Sequence, residues 1–191
     1  MNRMIAEYLK SFQLLTGDEI QSTEDLLKYK RLKKGDFFIK EGKISQEVAF
    51  ISSGILRSYY YSSKGEEVTY CFTFANSFVS AYSSFLTQEK TAENIQALTD
   101  IEMYAITREE VLTLEQSSTN WLSLFKLIAE QEYVKMEKRI FLLQTENAEK
   151  RYEDLRVNHP EYLREIPLSY LSSYLGITPR HLSRIRASFA N

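Results

Sequence analysis

The stretch that decides the reading runs from Leu168 to Arg186, LSYLSSYLGITPRHLSRIR. Leu168, Leu171 and Leu175 recur at helical spacing behind Pro167, a residue that a first helical turn accepts because the N–H it lacks has no partner there. Gly176 ends that helix, since glycine reaches positive φ without steric cost, and Ile177 follows to fill the angle between two helices. Thr178 and Pro179 restart the chain as N-cap and first helical residue. In the second helix Leu182, Ile185 and Phe189 take one face, while Arg180 and Arg184, four residues apart, share another. Two short helices joined by a glycine turn, the second with a cationic face, form the pattern of a helix-turn-helix.

An arginine pair at this spacing suits a helix in the major groove, where a guanidinium donates two bonds to guanine O6 and N7. Thr178, His181, Ser183 and Arg186 surround the pair as further candidate contacts, and double-stranded DNA is the partner implied. The competing reading is a surface helical hairpin with solvated arginines. Charge distribution favours the first: the whole chain carries a formal charge of −2, yet from Ile166 to Asn191 the only charged residues are Arg180, Arg184 and Arg186. A basic tip on an acidic body is an electrostatic footprint for phosphate. The sequence stops two residues after Phe189, so the expected motif has no β-hairpin wing behind it and makes fewer phosphate contacts.

With 191 residues, 43% of them hydrophobic, the chain can bury one larger core and one small one. No apolar run approaches the ~20 residues that cross a bilayer, and the N-terminal MNRMIAEYLK lacks the apolar core of a signal peptide. The expectation is a cytoplasmic protein with no membrane partner. Cys71, the lone cysteine, rules out an internal disulfide and cannot by itself hold an iron–sulfur cluster or structural zinc; it reads as a small buried apolar residue on a strand.

Ahead of the helix-turn-helix, Met4 to Phe12 and Asp18 to Tyr29 read as two amphipathic helices separated by Gly17. From Tyr29 to about Ile106, short runs rich in Tyr, Phe, Val, Ile and Thr alternate with turn signals at Gly35, Gly42, Ser52 to Gly54 and Lys64-Gly65. Regular turn spacing argues for an antiparallel sandwich or roll, with Ile55 to Tyr61 and Glu66 to Phe74 as a hairpin about Ser62–Gly65. Helix returns at Arg108 to Glu115, and a long helix follows from about Asn120 to Tyr152 with neither Gly nor Pro inside it. Leu122, Phe125, Ala129, Tyr133, Met136, Ile140 and Leu143 fall along it at steps of three and four, a heptad-like seam suited to a homodimer. Trp121, Leu124 and Ile128, on an adjoining face, are expected to pack on the strands; a helix buried within one chain is the plainer alternative.

The fold class expected is therefore α+β: N-terminal helices and an antiparallel β-roll over residues 1–119, a long dimerisation helix over 120–147, and a helix-turn-helix domain over 148–191. In this order of parts the chain resembles the Crp/Fnr family of bacterial transcription regulators. The resemblance rests on KKGDFFIKEG (Lys33 to Gly42), VAFISSGILRSYY (Val48 to Tyr60), AENIQALTDIEMYAI (Ala92 to Ile106) and the closing GITPRHLSRIR. It implies a jelly roll of the cyclic-nucleotide-binding kind, a dimer whose paired recognition helices grip a near-palindromic operator, a small-molecule effector and RNA polymerase as a partner. On that resemblance Arg180 and Arg184 are the base readers, with His181 between them.

Where the chain departs from that pattern is the effector site. Members that bind cyclic AMP carry a Gly-Glu for the ribose and an Arg for the cyclic phosphate; the corresponding places here hold Ser80-Ala81 and Thr91, and no arginine lies between Arg57 and Arg108. Lys90 is the nearby cation, and an ammonium does not reproduce a guanidinium's paired donors. The sequence thus argues against a cyclic nucleotide and names no cofactor. Tyr70, Phe72, Ser80, Ala81, Tyr82, Ser83, Ser84, Thr91 and Ala92 are the candidate pocket for an uncharged or planar effector. Against it stands the reading that these side chains simply fill and cover the roll, which aromatic strands do in any small β-roll.

Catalysis is not expected. A cupin-like metal site needs histidines, and His159 and His181 both lie beyond the roll; neither a phosphate-binding glycine loop nor a nucleophile motif is present. The alternative function is a small-molecule-binding protein with weak or lost DNA binding.

Overall fold

Alternating side chains from Lys28 onward build two four-stranded antiparallel sheets, shown by a computed structural model that describes residues 3–189. The strands are β1 (Lys28–Leu32), β2 (Phe37–Ile39), β3 (Glu47–Ser53), β4 (Leu56–Tyr61), β5 (Glu67–Thr73), β6 (Ser77–Val79), β7 (Glu93–Ala97) and β8 (Ile101–Thr107). One sheet runs β1-β8-β3-β6 and the other β2-β7-β4-β5. Helices α1 (Arg3–Ser11) and α2 (Gly17–Ser22) precede them, α3 (Tyr82–Thr87) interrupts them, and α4 (Arg108–Ser117) and α5 (Thr119–Thr145) follow. The C-terminal part is helical throughout: α6 (Ala148–Asn158), α7 (Pro160–Glu165), α8 (Leu168–Leu175) and α9 (Pro179–Ser188).

Strand β3 explains why its sequence, VAFI from Val48 to Ile51, is continuously apolar. Ala49 and Ile51 point between the sheets into a core with Leu56, Ile95, Ala97, Met103 and Ala105. Phe50, on the opposite face, joins a second core with Ile5, Leu9, Val111, Leu114, Trp121 and Leu124 from the helices. A strand buried on both sides loses polar alternation. The long helix therefore lays Trp121 and Leu124 on that second core, with Ile128 packed against it, as the spacing of the sequence requires.

Two compact units form. One contains the chain up to Tyr60 together with Cys71–Ala129; the other contains Tyr61–Tyr70 with the chain from Glu130 onward. Among the described residues no helix is long and apolar enough to cross a membrane.

Three local expectations need correction. The helix read over Asp18 to Tyr29 stops at Ser22, and Tyr29 lies in β1 opposite Tyr104 of β8. Pairing decides here: Lys28 and Tyr29 lie opposite Ala105 and Tyr104 in an antiparallel ladder, a long-range contact that local helical patterning does not carry. A helix, α3, stands where only strands are read. The long helix ends at Thr145 and does not reach Tyr152; Asn147 caps a new helix, its side chain accepting from Lys150 N, so a polar cap provides the punctuation for which Gly or Pro is usually searched.

Glu19 joins the N-terminal helices to the start of α5. Its carboxylate accepts from the Ser118 hydroxyl, from Thr16 N at 2.7 Å and from Asn120 Nδ2 at 3.0 Å. The Ser118 bond first, then Thr16 and Asn120, lower its pKa from 4.5 to about 2. A carboxylate held below its ordinary value stabilises the fold fully above the unfolded pKa and loses that contribution as pH falls through the folded one. Urea unfolding followed by the single tryptophan, Trp121, is expected to show stability declining between pH 4.5 and about 2, and Glu19→Gln to flatten that part of the profile. An unaltered profile in the variant contradicts the assignment. Gly54 has φ of +95°, and a Cβ there would fall 2.3 Å from the Asp100 carbonyl oxygen. Gly54→Ala is accordingly expected to destabilise the roll by at least about 2 kcal/mol in the same assay; a loss below roughly 0.5 kcal/mol, the scale of an ordinary surface change, contradicts this.

Candidate nucleic-acid interface and effector region

The helix-turn-helix forms as its residues dictate. Gly176 takes the left-handed conformation at φ 68° and ψ 33°, its N–H reaching back to the last turn of α8, and Ile177 N donates to Ser172 O at 3.0 Å. A side chain at 176 would also crowd Arg151, whose Nη1 lies 3.4 Å from the Cβ position. Thr178 then caps α9, its hydroxyl accepting from His181 N at 3.2 Å.

Burial sets the rotation of α9. Leu182 and Ile185 are buried, as are Leu171 and Leu175 of α8. Arg180, Ser183, Arg184 and Arg186 consequently face solvent, and His181 is half-buried with Nε2 4.0 Å from Glu149 of α6. Phe189 sits half-buried against Tyr152, ring centres 5.3 Å apart. Among the described residues no carboxylate engages Arg180, Arg184 or Arg186, so three guanidinium groups stand unpaired on one small tip. Ser183 is less available than the sequence suggests, because its hydroxyl donates to Pro179 O at 3.0 Å.

The apolar seam of α5 divides. Phe125 stacks on Trp121 at 5.6 Å and packs on the second core, and Ala129 and Leu143 are half-buried. Leu122, Tyr133, Met136 and Ile140 are exposed, Tyr133 by 60% and Met136 by 56%. Val134 and Phe141, seven residues apart and also exposed, widen the stripe; neither lies on the seam that the sequence marks.

The nine candidate effector residues do not converge on one cavity. Ser80 donates to Glu47 O at 2.9 Å and shares a hydrogen bond with Ser45 at 3.2 Å; Ser84 accepts from Ser45 N at 3.0 Å and donates to Glu89 O. Thr91 is buried, exchanges backbone bonds with the Gly42–Lys43 turn and accepts from Glu93 N. Ala81 and Phe72 are buried, whereas Tyr82, Ser83 and Ala92 face solvent. Tyr70 groups with the second unit and Phe72 with the first. An open groove of about 370 Å³ lies elsewhere on the roll, lined by Phe37, Phe38, Ile39, Lys40, Lys43 and Ile44 through Glu47. The consecutive apolar residues Phe37, Phe38 and Ile39, without strand alternation, are the sequence signal that points to it. Among the described residues no group of His, Cys, Asp or Glu is placed to hold a metal.

Residues 29–118 match the family model of the cyclic nucleotide-binding domain. No curated protein matches the chain by sequence. Among solved structures, FixK2 from Bradyrhizobium japonicum superposes with a TM-score of 0.75 at 15% identity, over 86% of this chain and 84% of its own. A crp/fnr-family transcriptional regulator from Eubacterium rectale superposes with a TM-score of 0.73 at 17% identity, over 96% and 88%. The Catabolite Activator Protein of Thermus thermophilus gives 0.61 at 19% identity, over 96% and 86%.

The chain shares the fold of these regulators. Neither Ala81 nor Thr91 supplies a charged group to a ligand. Ala81 is fully buried, and the Thr91 hydroxyl accepts from Glu93 N. The serines around them hold the loops of the roll to each other.

Proposed function

We propose that this chain is a DNA-binding transcription regulator of Crp/Fnr type, acting as a homodimer on a near-palindromic operator. The observation that carries the reading is the tip of α9, where Arg180 and Arg184 are exposed and, among the described residues, meet no carboxylate. Guanidinium groups four residues apart on a helix that buries its opposite face suit guanine edges in the major groove; Arg186 and the first turn behind Thr178 suit phosphates. Second, the exposed stripe of Leu122, Tyr133, Met136, Ile140 and Phe141 supports pairing of two α5 helices, since a seam of this kind is buried by a second copy. Two paired tips reach half-sites about one helical turn, roughly 34 Å, apart. In this reading the β-roll works without a cyclic nucleotide, either as a sensor of another effector or as a degenerate one. The protein then works in the cytoplasm, with RNA polymerase as the downstream partner.

Fluorescence anisotropy on a duplex selected from a random pool tests this. Arg180→Ala and Arg184→Ala are each expected to cost about 1–3 kcal/mol of sequence discrimination, and saturating cyclic AMP to leave the affinity unchanged. Unchanged operator preference in both variants removes the arginines from readout; strong dependence on cyclic AMP overturns the reading of the roll. Sedimentation is expected to find a dimer that Met136→Glu dissociates, and a monomeric wild-type chain at high concentration contradicts the proposal.

A further inference from the structure

The tip of the β4–β5 hairpin, Tyr61–Tyr70, belongs with the C-terminal residues in one compact unit. Strand β5 is the outermost of its sheet, so peptide groups along its free edge need partners from outside the sheet. Two of them find Ser173, in the last turn of α8. Thr69 N donates to Ser173 Oγ at 3.0 Å, and the same hydroxyl donates to Glu67 O at 3.1 Å. One side-chain oxygen thus takes the N–H and C=O flanking Val68, the pair that a residue of an added parallel strand would engage.

Helical serines ordinarily bond back to their own helix. Ser172, Ser183 and Ser188 do so here, to Ser169, Pro179 and Ile185. Ser173 instead spends its hydroxyl on residues 104 and 106 positions away. Beside it, Arg139 of α5 donates to Tyr174 O at 2.8 Å and lies 3.5 Å from the centre of the Tyr174 ring. The last turn of α8 is therefore gripped by the hairpin on one residue and by the long helix on the next, immediately before the Gly176 turn that orients α9.

We propose that Ser173 is a positioning residue for DNA reading, a latch that ties the helix-turn-helix to the β4–β5 hairpin so that movement of those strands is passed through α8 to the arginines of α9. The inference rests on the DNA-binding reading above. Thr69 is buried, so bulk water reaches its N–H poorly when the hydroxyl is removed.

The test uses the full chain with Ser173→Ala and Ser173→Thr, amide hydrogen exchange at Thr69, and anisotropy on the selected duplex. In Ser173→Ala, exchange at Thr69 is expected to rise roughly tenfold or more, and operator affinity to change at least about threefold. Ser173→Thr, which keeps the hydroxyl, is expected to restore both. Unchanged exchange at Thr69 shows that there is no latch, and faster exchange with unchanged affinity shows that the latch positions nothing; either overturns the proposal. A wild-type chain that binds no duplex also overturns it by removing the DNA reading, an outcome recognisable because exchange at Thr69 would still separate the variants.

Discussion

Everything functional in this molecule depends on the packing of Leu171 and Leu175 on α8 and Leu182 and Ile185 on α9 across the left-handed Gly176. With 3.6 residues per turn, burying Leu182 and Ile185 leaves one azimuth for the rest of α9, and residues four apart sit within about 40° of each other on it. Arg180 and Arg184 occupy that azimuth because the apolar side chains have taken the other. The cationic face is a consequence of the core. A side chain at Gly176 would disturb both at once, through backbone strain and through Arg151 behind it.

The same logic of two faces runs through the remainder. Strand β3 serves the core between the sheets with Ala49 and Ile51 and the helical core with Phe50. Helix α5 buries Trp121 and Leu124 near its start and exposes an apolar stripe further on. Inside the roll, the hydroxyls of the candidate effector region are spent on the protein. Ser45, Ser80 and Ser84 bond to one another or to neighbouring backbone, and Thr91 closes the turn at Gly42–Lys43. These bonds tie the loops of the roll to one another.

Much of this was legible in the sequence because it is written in local chemistry. The Gly176 turn, the Thr178 cap, the faces of α9 and the β4–β5 hairpin each follow from residues within a few positions of one another. Less was legible where distant partners decide. The helix after Thr16 gives way to β1 because β8 offers Lys28–Leu32 a pairing register, and α5 stops at a polar cap, Asn147, that resembles any exposed asparagine. The division of the α5 seam between core and solvent needed the positions of α1 and α4. Ser173 carried no signal at all, since its role depends on a strand edge more than a hundred residues away.

The most direct test of the central claim, that two paired α9 tips read DNA, is a hydroxyl-radical footprint of the intact protein on its selected duplex. The account predicts two protected windows on one face of the duplex, with centres about one helical turn apart. A single isolated window, or none, would contradict it.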